Sequence, residues 1–156
     1  MNSDRRKILK GVGAASAVTV AAAAGLLKPG MAFAADWNKA AFDAKGVDAA
    51  LAAVGGAGAA NSAQITVKAP DIAENGAVVP VEIISSIPGT ERIIVLAEKN
   101  GFPLVADFGL SNGAEGYIST RIKMGATSNV RAIVKAGGKL HTAAKEVKVT
   151  IGGCGG

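Results

Sequence analysis

The run Gly152-Gly153-Cys154-Gly155-Gly156 sets the only cysteine of this 156-residue chain between two pairs of glycines. A free cysteine with a packing role belongs in a core, because it is among the most buried residue types. Glycine has no Cβ, reaches both signs of φ and loses the most entropy on ordering, so this segment resists burial. The residues therefore describe a thiol offered to partners on a slim, flexible arm. A thiol is a nucleophile and a covalent handle. Its ordinary pKa of about 8.5 leaves a few per cent thiolate at neutral pH. Lys148 is the nearest cationic side chain in sequence, so the chain supplies no evident activator. Chemistry on Cys154 is then the work of other proteins' active sites. One cysteine makes no internal disulfide, which leaves a reactive thiol or an intermolecular Cys154–Cys154 bridge.

The opposite end of the sequence says where such a thiol would work. Asp4-Arg5-Arg6-Lys7-Ile8-Leu9-Lys10 precedes an apolar Gly/Ala/Val/Leu run over residues 11–27, and Ala32 and Ala34 are small residues at a cleavage spacing. This is the layout of a secretory signal peptide. The arginine pair Arg5-Arg6 makes it a twin-arginine signal, read by a receptor. Cleavage is expected after Ala34. The run lies at the lower limit of a membrane span, and its many Ala and Gly weaken it as an anchor. A lipoprotein is excluded, since no cysteine lies near the cleavage position. The twin-arginine route carries folded cargo, and with no cofactor motif in sight a co-exported partner subunit is the expected reason for using it.

Removal of 34 of the 156 residues leaves 122, enough for one domain. Five of the 17 basic and one of the 12 acidic residues leave with the signal, so the mature part carries 12 against 11, a net of +1. A basic-surface argument for nucleic acid thus collapses. Only Trp37, Phe42, Phe102, Phe108 and Tyr117 supply aromatic rings to the mature part, and only Arg92, Arg121 and Arg131 supply guanidinium groups. That is too little for a base-stacking platform. His141 is the sole histidine, and metal sites want several ligands in concert. There is no protease or hydrolase constellation, no CxxCH for haem, and Gly55-Gly56-Ala57-Gly58 lacks the Lys and the strand-to-helix setting of a phosphate loop. No cofactor and no metal is expected.

The elements that must hold the arm come next. Residues 36–54 read as helical, with Asp36 as N-cap, Gly46 as a kink or break, and Trp37, Ala40, Ala41, Ala44, Val47, Leu51 and Val54 on the apolar face. Residues 55–62 read as loop. The period then changes to two, predicting strands over 63–69, 77–86, 91–97, 103–108, 116–124, 128–136 and 140–151. Seven strands with frequent turn signals predict a mainly β fold: an immunoglobulin-like antiparallel β-sandwich, without the immunoglobulin disulfide, preceded by an N-terminal helix. Ile118, Thr120, Ile122 and Met124 share one predicted face, and Tyr117, Ser119, Arg121 and Lys123 the other. Val147, Val149 and Ile151 are expected inward, with Glu146, Lys148 and Thr150 outward. Pro80 predicts an edge or a bulge in its strand. The expected division is a signal at 1–34, helix and loop at 35–62, sandwich at 63–151 and the arm at 152–156. With the arm rooted at Ile151, Cys154 reaches about 10 Å beyond the sandwich.

A twin-arginine signal, a small strand-rich domain and a terminal Gly-Gly-Cys-Gly-Gly together resemble the SoxY family, the sulfur-compound carriers of periplasmic thiosulfate-oxidising (Sox) systems. The resemblance spans the chain and is most specific over residues 152–156, with no departure in that motif. It implies an immunoglobulin-like sandwich paired as a heterodimer with a SoxZ-like subunit that has no export signal of its own. It implies that Cys154 is the covalent attachment point for the sulfur substrate. It also implies three enzymes as partners. A c-type cytochrome complex couples thiosulfate to the thiol, a dimanganese hydrolase releases sulfate, and a sulfane dehydrogenase oxidises the remaining sulfur. The carrier itself turns nothing over. The competing reading is a secreted β-sandwich interaction module that homodimerises through a tail disulfide. A thiol oxidoreductase or metal chaperone would need a second cysteine, which the chain lacks.

Overall fold

The computed structural model describes residues 37–150. The predicted signal with Arg5 and Arg6, the cleavage position, Asp36, Ile151 and the arm residues Gly152, Gly153, Cys154, Gly155 and Gly156 lie outside the described residues.

The expected single helix is two short ones, α1 (Lys39–Phe42) and α2 (Val47–Ala53). Gly46 separates them at φ +86°, a backbone region that costs an L side chain energy and glycine almost nothing. The observed N-cap of α1 is Asn38, two residues after the expected Asp36; its Oδ1 accepts from the Ala41 amide at 3.1 Å. Asp48 places a carboxylate in the first turn of α2, where the helix dipole favours it. Ala41 and Ala50 are fully buried, and their small side chains let both helices lie close to the sheet beneath. Trp37 departs from the expected apolar face. It is 69% exposed, with its ring stacked on Phe42 at 4.1 Å.

Nine strands follow: β1 (Ala60–Asn61), β2 (Ile65–Lys68), β3 (Ile72–Ala73), β4 (Val79–Ser85), β5 (Thr90–Ala97), β6 (Leu104–Gly109), β7 (Tyr117–Ile122), β8 (Ser128–Ala136) and β9 (Lys139–Val149). The larger sheet runs β1-β9-β8-β5-β6, with β3 also on β9; the smaller runs β2-β4-β7. Seven of these match the predicted strands to within a few residues. The two additions, β1 and β3, are two residues each, and they pair with β9 in parallel rather than antiparallel fashion. β1 falls in the predicted loop.

The sheets face each other across a core of aliphatic side chains. Val79, Val81 and Ile83 of β4 and Ile118 and Ile122 of β7 pack against Ile93 and Val95 of β5, Val130 and Val134 of β8, and Val147 of β9. The predicted faces of β7 are observed: Ile118, Ile122 and Met124 are buried, while Tyr117, Ser119, Arg121 and Lys123 are exposed. Residues Ile93-Ile94-Val95-Leu96-Ala97 are buried without alternation, because the helices cover the other side of this sheet. There Ile94, Leu96, Leu104 and Ile133 meet Ala41 and Ala50. The molecule is thus a two-sheet sandwich of immunoglobulin-like architecture with a helical layer on its larger sheet.

Pro80 corrects one expectation. Its strand, β4, is the middle of the smaller sheet, but β2 pairs only with Glu82–Ser85. Pro80, opposite Arg121 of β7, lies past the end of β2, where β4 has one neighbour. The missing N–H therefore interrupts no ladder on the β2 side.

Candidate functional site

β9 is the strand that leads to the arm, and its sequence explains its fixation. Val147 is fully buried and Val149 half-buried, while Glu146, Lys148 and Thr150 face solvent, as predicted. On one side β9 pairs with the whole of β8, from Ala136↔Lys139 across the Gly137-Gly138 turn to Ser128↔Val147. Both turn glycines have positive φ, as a tight two-residue hairpin demands.

The other side of β9 is held at both ends. Near its start, β1 sets Ala60 opposite His141, and the Ser62 amide donates to Thr142 O at 3.0 Å. Near its finish, β3 sets Ile72 opposite Lys148 and Ala73 opposite Val149. The Lys148 amide donates to Asp71 O and the Thr150 amide to Ala73 O, at 3.0 and 3.1 Å. Between these attachments Lys145 crosses the edge. Its Nζ donates to Ala69 O at 2.6 Å and pairs with Asp71 Oδ1 at 2.9 Å.

The last residues are gripped from the β8 side as well, where the Val149 amide donates to Thr127 Oγ1 at 2.9 Å. On the β3 side Thr150 Oγ1 also donates to Glu74 O at 3.3 Å. Val149 packs against the turn carrying Gly76, whose carbonyl accepts from the Met124 amide at 2.7 Å. A β-carbon on Gly76 would lie 2.5 Å from Met124 O and 2.7 Å from Val149 Cγ1, so only glycine lets this turn close over the strand. Thr150, the last described residue, is thus tied to residues 73–74, and Val149 before it to Thr127. Cys154 lies four residues beyond it, a contour of about 13–14 Å at 3.3–3.6 Å per residue.

The Asp71–Lys145 contact gives this grip a pH dependence. The hydrogen bond and charge of Lys145, with a smaller contribution from Lys148, hold the Asp71 carboxyl below its usual value, and burial opposes them weakly. The folded pKa lies below the unfolded one. The contribution is therefore complete above the ordinary carboxylate value of about 3.9 and is lost as pH falls through the folded value. Asp71 is exposed, so the effect is small. Asp71→Asn is expected to lower Tm slightly at neutral pH, with the difference closing below about pH 4. Paired thermal melts across that range check it.

His141 is half-buried on β9 between Ala60 and Val134, a structural position. Among the described residues no group of three His, Cys, Asp or Glu side chains is placed to hold a metal ion, and no helix is long and apolar enough to cross a membrane. A cavity of about 430 Å³ opens between the β4–β5 and β6–β7 connections, lined by residues that include Ile87, Thr90, Leu110 and Asn112. β5 and β8 place it at the end of the sandwich opposite Thr150, since Thr90 pairs with Ala136 and Ser128 with Val147. The length of β8 separates the two ends by roughly 25–30 Å at 3.3 Å per residue. That is about twice the contour from Thr150 to Cys154, so the cavity is out of the thiol's reach.

Sequence reasoning anchored the arm on β9 but missed what grips it. Gly76 falls between the predicted strands 63–69 and 77–86, where a glycine marks only a turn. Thr127, Glu74 and Asp71 carried no signal, because their roles depend on segments brought together only by the fold.

The described residues form a small β-sandwich whose last strand is held up to Thr150. Residues 50–154 match the family model described as sulfur oxidation protein SoxY, and that match reaches Cys154. The chain is also similar to a solved structure, the sulfur carrier protein SoxY from Chlorobium limicola f thiosulfatophilum. Identity is 45% and the TM-score 0.60, over 67% of this chain and 96% of that one. The superoxide reductase (neelaredoxin) from Ignicoccus hospitalis is similar at 19% identity and a TM-score of 0.49, over 56% of this chain and 80% of that one, a level from which no function follows. No curated protein matches the chain. The class is that of sulfur-oxidation carrier proteins. The chain belongs to the SoxY family.

Proposed function

We propose that this protein is a periplasmic carrier that binds thiosulfate and its oxidation intermediates covalently on Cys154 and presents them to successive enzymes. The observation that carries this reading is the contrast at Thr150. Up to that residue the backbone is bonded on both sides; beyond it the sequence offers one thiol among glycines. A fixed root and a glycine-built arm of residues 152–156 let the domain be held by a partner while the sulfur enters a narrow pocket. Arg5 and Arg6 send the folded protein through the twin-arginine route, together with a SoxZ-like subunit.

The chemistry follows from the thiol. Coupling to thiosulfate removes one proton and two electrons and forms an S–S bond, giving Cys–S–S–SO₃⁻; a c-type cytochrome enzyme takes the electrons. Attack of water on the terminal sulfur breaks the S–SO₃ bond. Sulfate leaves and a persulfide remains on Cys154, a step for the dimanganese hydrolase. Oxidation of that persulfide to Cys–S–SO₃⁻ consumes three waters and releases six electrons, work for a sulfane dehydrogenase. A second hydrolysis restores the thiol. The carrier's part in each step is to keep one sulfur attached and deliverable.

Intact-mass spectrometry of the protein purified from thiosulfate-grown cells tests the reading. Adducts with the masses of thiosulfonate or persulfide, removed by reductant and mapped to Cys154, are expected. Unmodified thiol alone, or a reducible dimer without small adducts, would overturn it; the dimer is the signature of a tail-disulfide interaction module.

A further inference from the structure

Five large apolar side chains are exposed among the described residues, and three of them share one end of the sandwich. Ile72 sits on β3 opposite Lys148, Val78 just before β4, and Phe102 on the β5–β6 turn; they are 57%, 51% and 53% exposed. All three are at the end where β9 finishes. Single exposed hydrophobic residues are ordinary on a protein surface. Two further observations set these apart.

The first is that their loops are stitched together. Asn100 Nδ2 donates to Lys123 O at 2.7 Å, and the Gly125 amide donates to Asn100 Oδ1 at 2.9 Å, bracing the Phe102 turn against residues 123–125. The Met124 amide in turn donates to Gly76 O, bracing the turn that carries Val78. The apolar side chains are thus presented on a fixed platform, which lowers the entropy lost when a partner covers them.

The second is reach. Cys154 is at most about 13–14 Å of chain from Thr150. A standard interface buries about 800 Å² per partner, a disc of roughly 16 Å radius. An enzyme that takes the thiol into a recessed pocket consumes part of the chain's length, so its surface must come down onto the loops around Thr150.

We propose that Ile72, Val78 and Phe102, on the stitched loops around the finish of β9, form the docking patch for the enzymes that act on Cys154. This rests on the carrier reading above. The occupant is an enzyme whose pocket mouth has an apolar rim, and each such enzyme in turn uses the same patch.

The test uses the mature protein with its companion subunit as the substrate of each arm-processing enzyme. Val78→Asp with Phe102→Asp places two charges in the patch, while Tyr117→Asp places one at the opposite end. The patch variant is expected to raise KM roughly thirtyfold, the size of one lost hot-spot side chain. Its kcat at saturation and the alkylation rate of Cys154 by iodoacetamide should match those of the wild type, and Tyr117→Asp should leave KM as it was. Val78→Ser with Phe102→Ser repeats the measurement should the charged pair not fold. An unchanged KM, or equal changes in both variants, overturns the proposal. Loss of the companion subunit from the patch variant in light scattering also overturns it, because the patch would then be the subunit interface. The carrier reading fails separately, if Cys154→Ser is still turned over.

Discussion

Cys154→Ser is expected to reduce thiosulfate oxidation to the level seen without the carrier, while leaving stability within about 0.5 kcal/mol of the wild type. The two halves of this expectation have different physical sources. Residue 154 lies four positions beyond Thr150, the last described residue, inside a glycine-flanked run, and the substitution exchanges one sulfur atom for oxygen. The chemical half turns on oxygen replacing sulfur. A thiol near pKa 8.5 keeps a few per cent thiolate at neutral pH, and an enzyme can draw on that fraction. A serine hydroxyl offers no comparable anion and forms no stable bond to a sulfane sulfur. Nothing else in the sequence substitutes, because Cys154 is the only cysteine. Oxygen-consumption assays with thiosulfate and the reconstituted enzymes measure the effect. A Ser variant that sustains even a tenth of the wild-type rate would show that the sulfur travels elsewhere.

How much of this was open to reading beforehand varies element by element, for physical reasons. The strands of the sandwich were legible because one face of each must be buried, and burial leaves a period of two. β7 shows it plainly, with Ile118 and Ile122 in and Tyr117, Ser119 and Arg121 out. The helical layer over the larger sheet was written in the unbroken run from Ile93 to Ala97, since a strand buried on both faces does not alternate. Asn38 stands as cap in place of Asp36 because the first helical turn starts later than the apolar spacing suggests; it ends at Phe42, and Gly46 opens the second helix. β1 and β3 left no trace in the pattern. Two-residue strands bury too little to impose a period; they exist because β9 presents an edge for them to bond. The cysteine and its glycines stood out because that motif is local. The grip on Thr150 did not, because Glu74, Gly76, Thr127 and Asp71 lie far from it in sequence.

That grip supplies the second large effect. Gly76→Ala is expected to destabilise the protein by about 2–3 kcal/mol, near the upper end for overpacking by one methyl. The reason lies in what the methyl meets. Val149 Cγ1, at 2.7 Å, belongs to a β-branched side chain with few rotamers, and Met124 O, at 2.5 Å, is backbone. Neither yields cheaply, so the 74–78 turn must lift away from β9. Lifting it stretches the Met124–Gly76 hydrogen bond and carries Ala73 O and Glu74 O away from Thr150. The loss is therefore concentrated where the arm begins. For a domain of this size the cost corresponds to a fall in Tm on the order of 10 °C. Gly125→Ala is the control from the neighbouring loop. Its β-carbon would meet only Asn100 Oδ1, at 3.7 Å, an ordinary contact, and it should melt close to the wild type. Hydrogen exchange separates local from global loosening. The Thr150 and Met124 amides should lose protection in Gly76→Ala before Ile133 or Val134 in the middle of β8 do. Each residue freed at the root adds about 3.3–3.6 Å to the tether, so the variant also trades a fixed origin for a longer, less directed reach. Should Gly76→Ala match Gly125→Ala in Tm and in Thr150 exchange, the turn would not be what holds the end of β9.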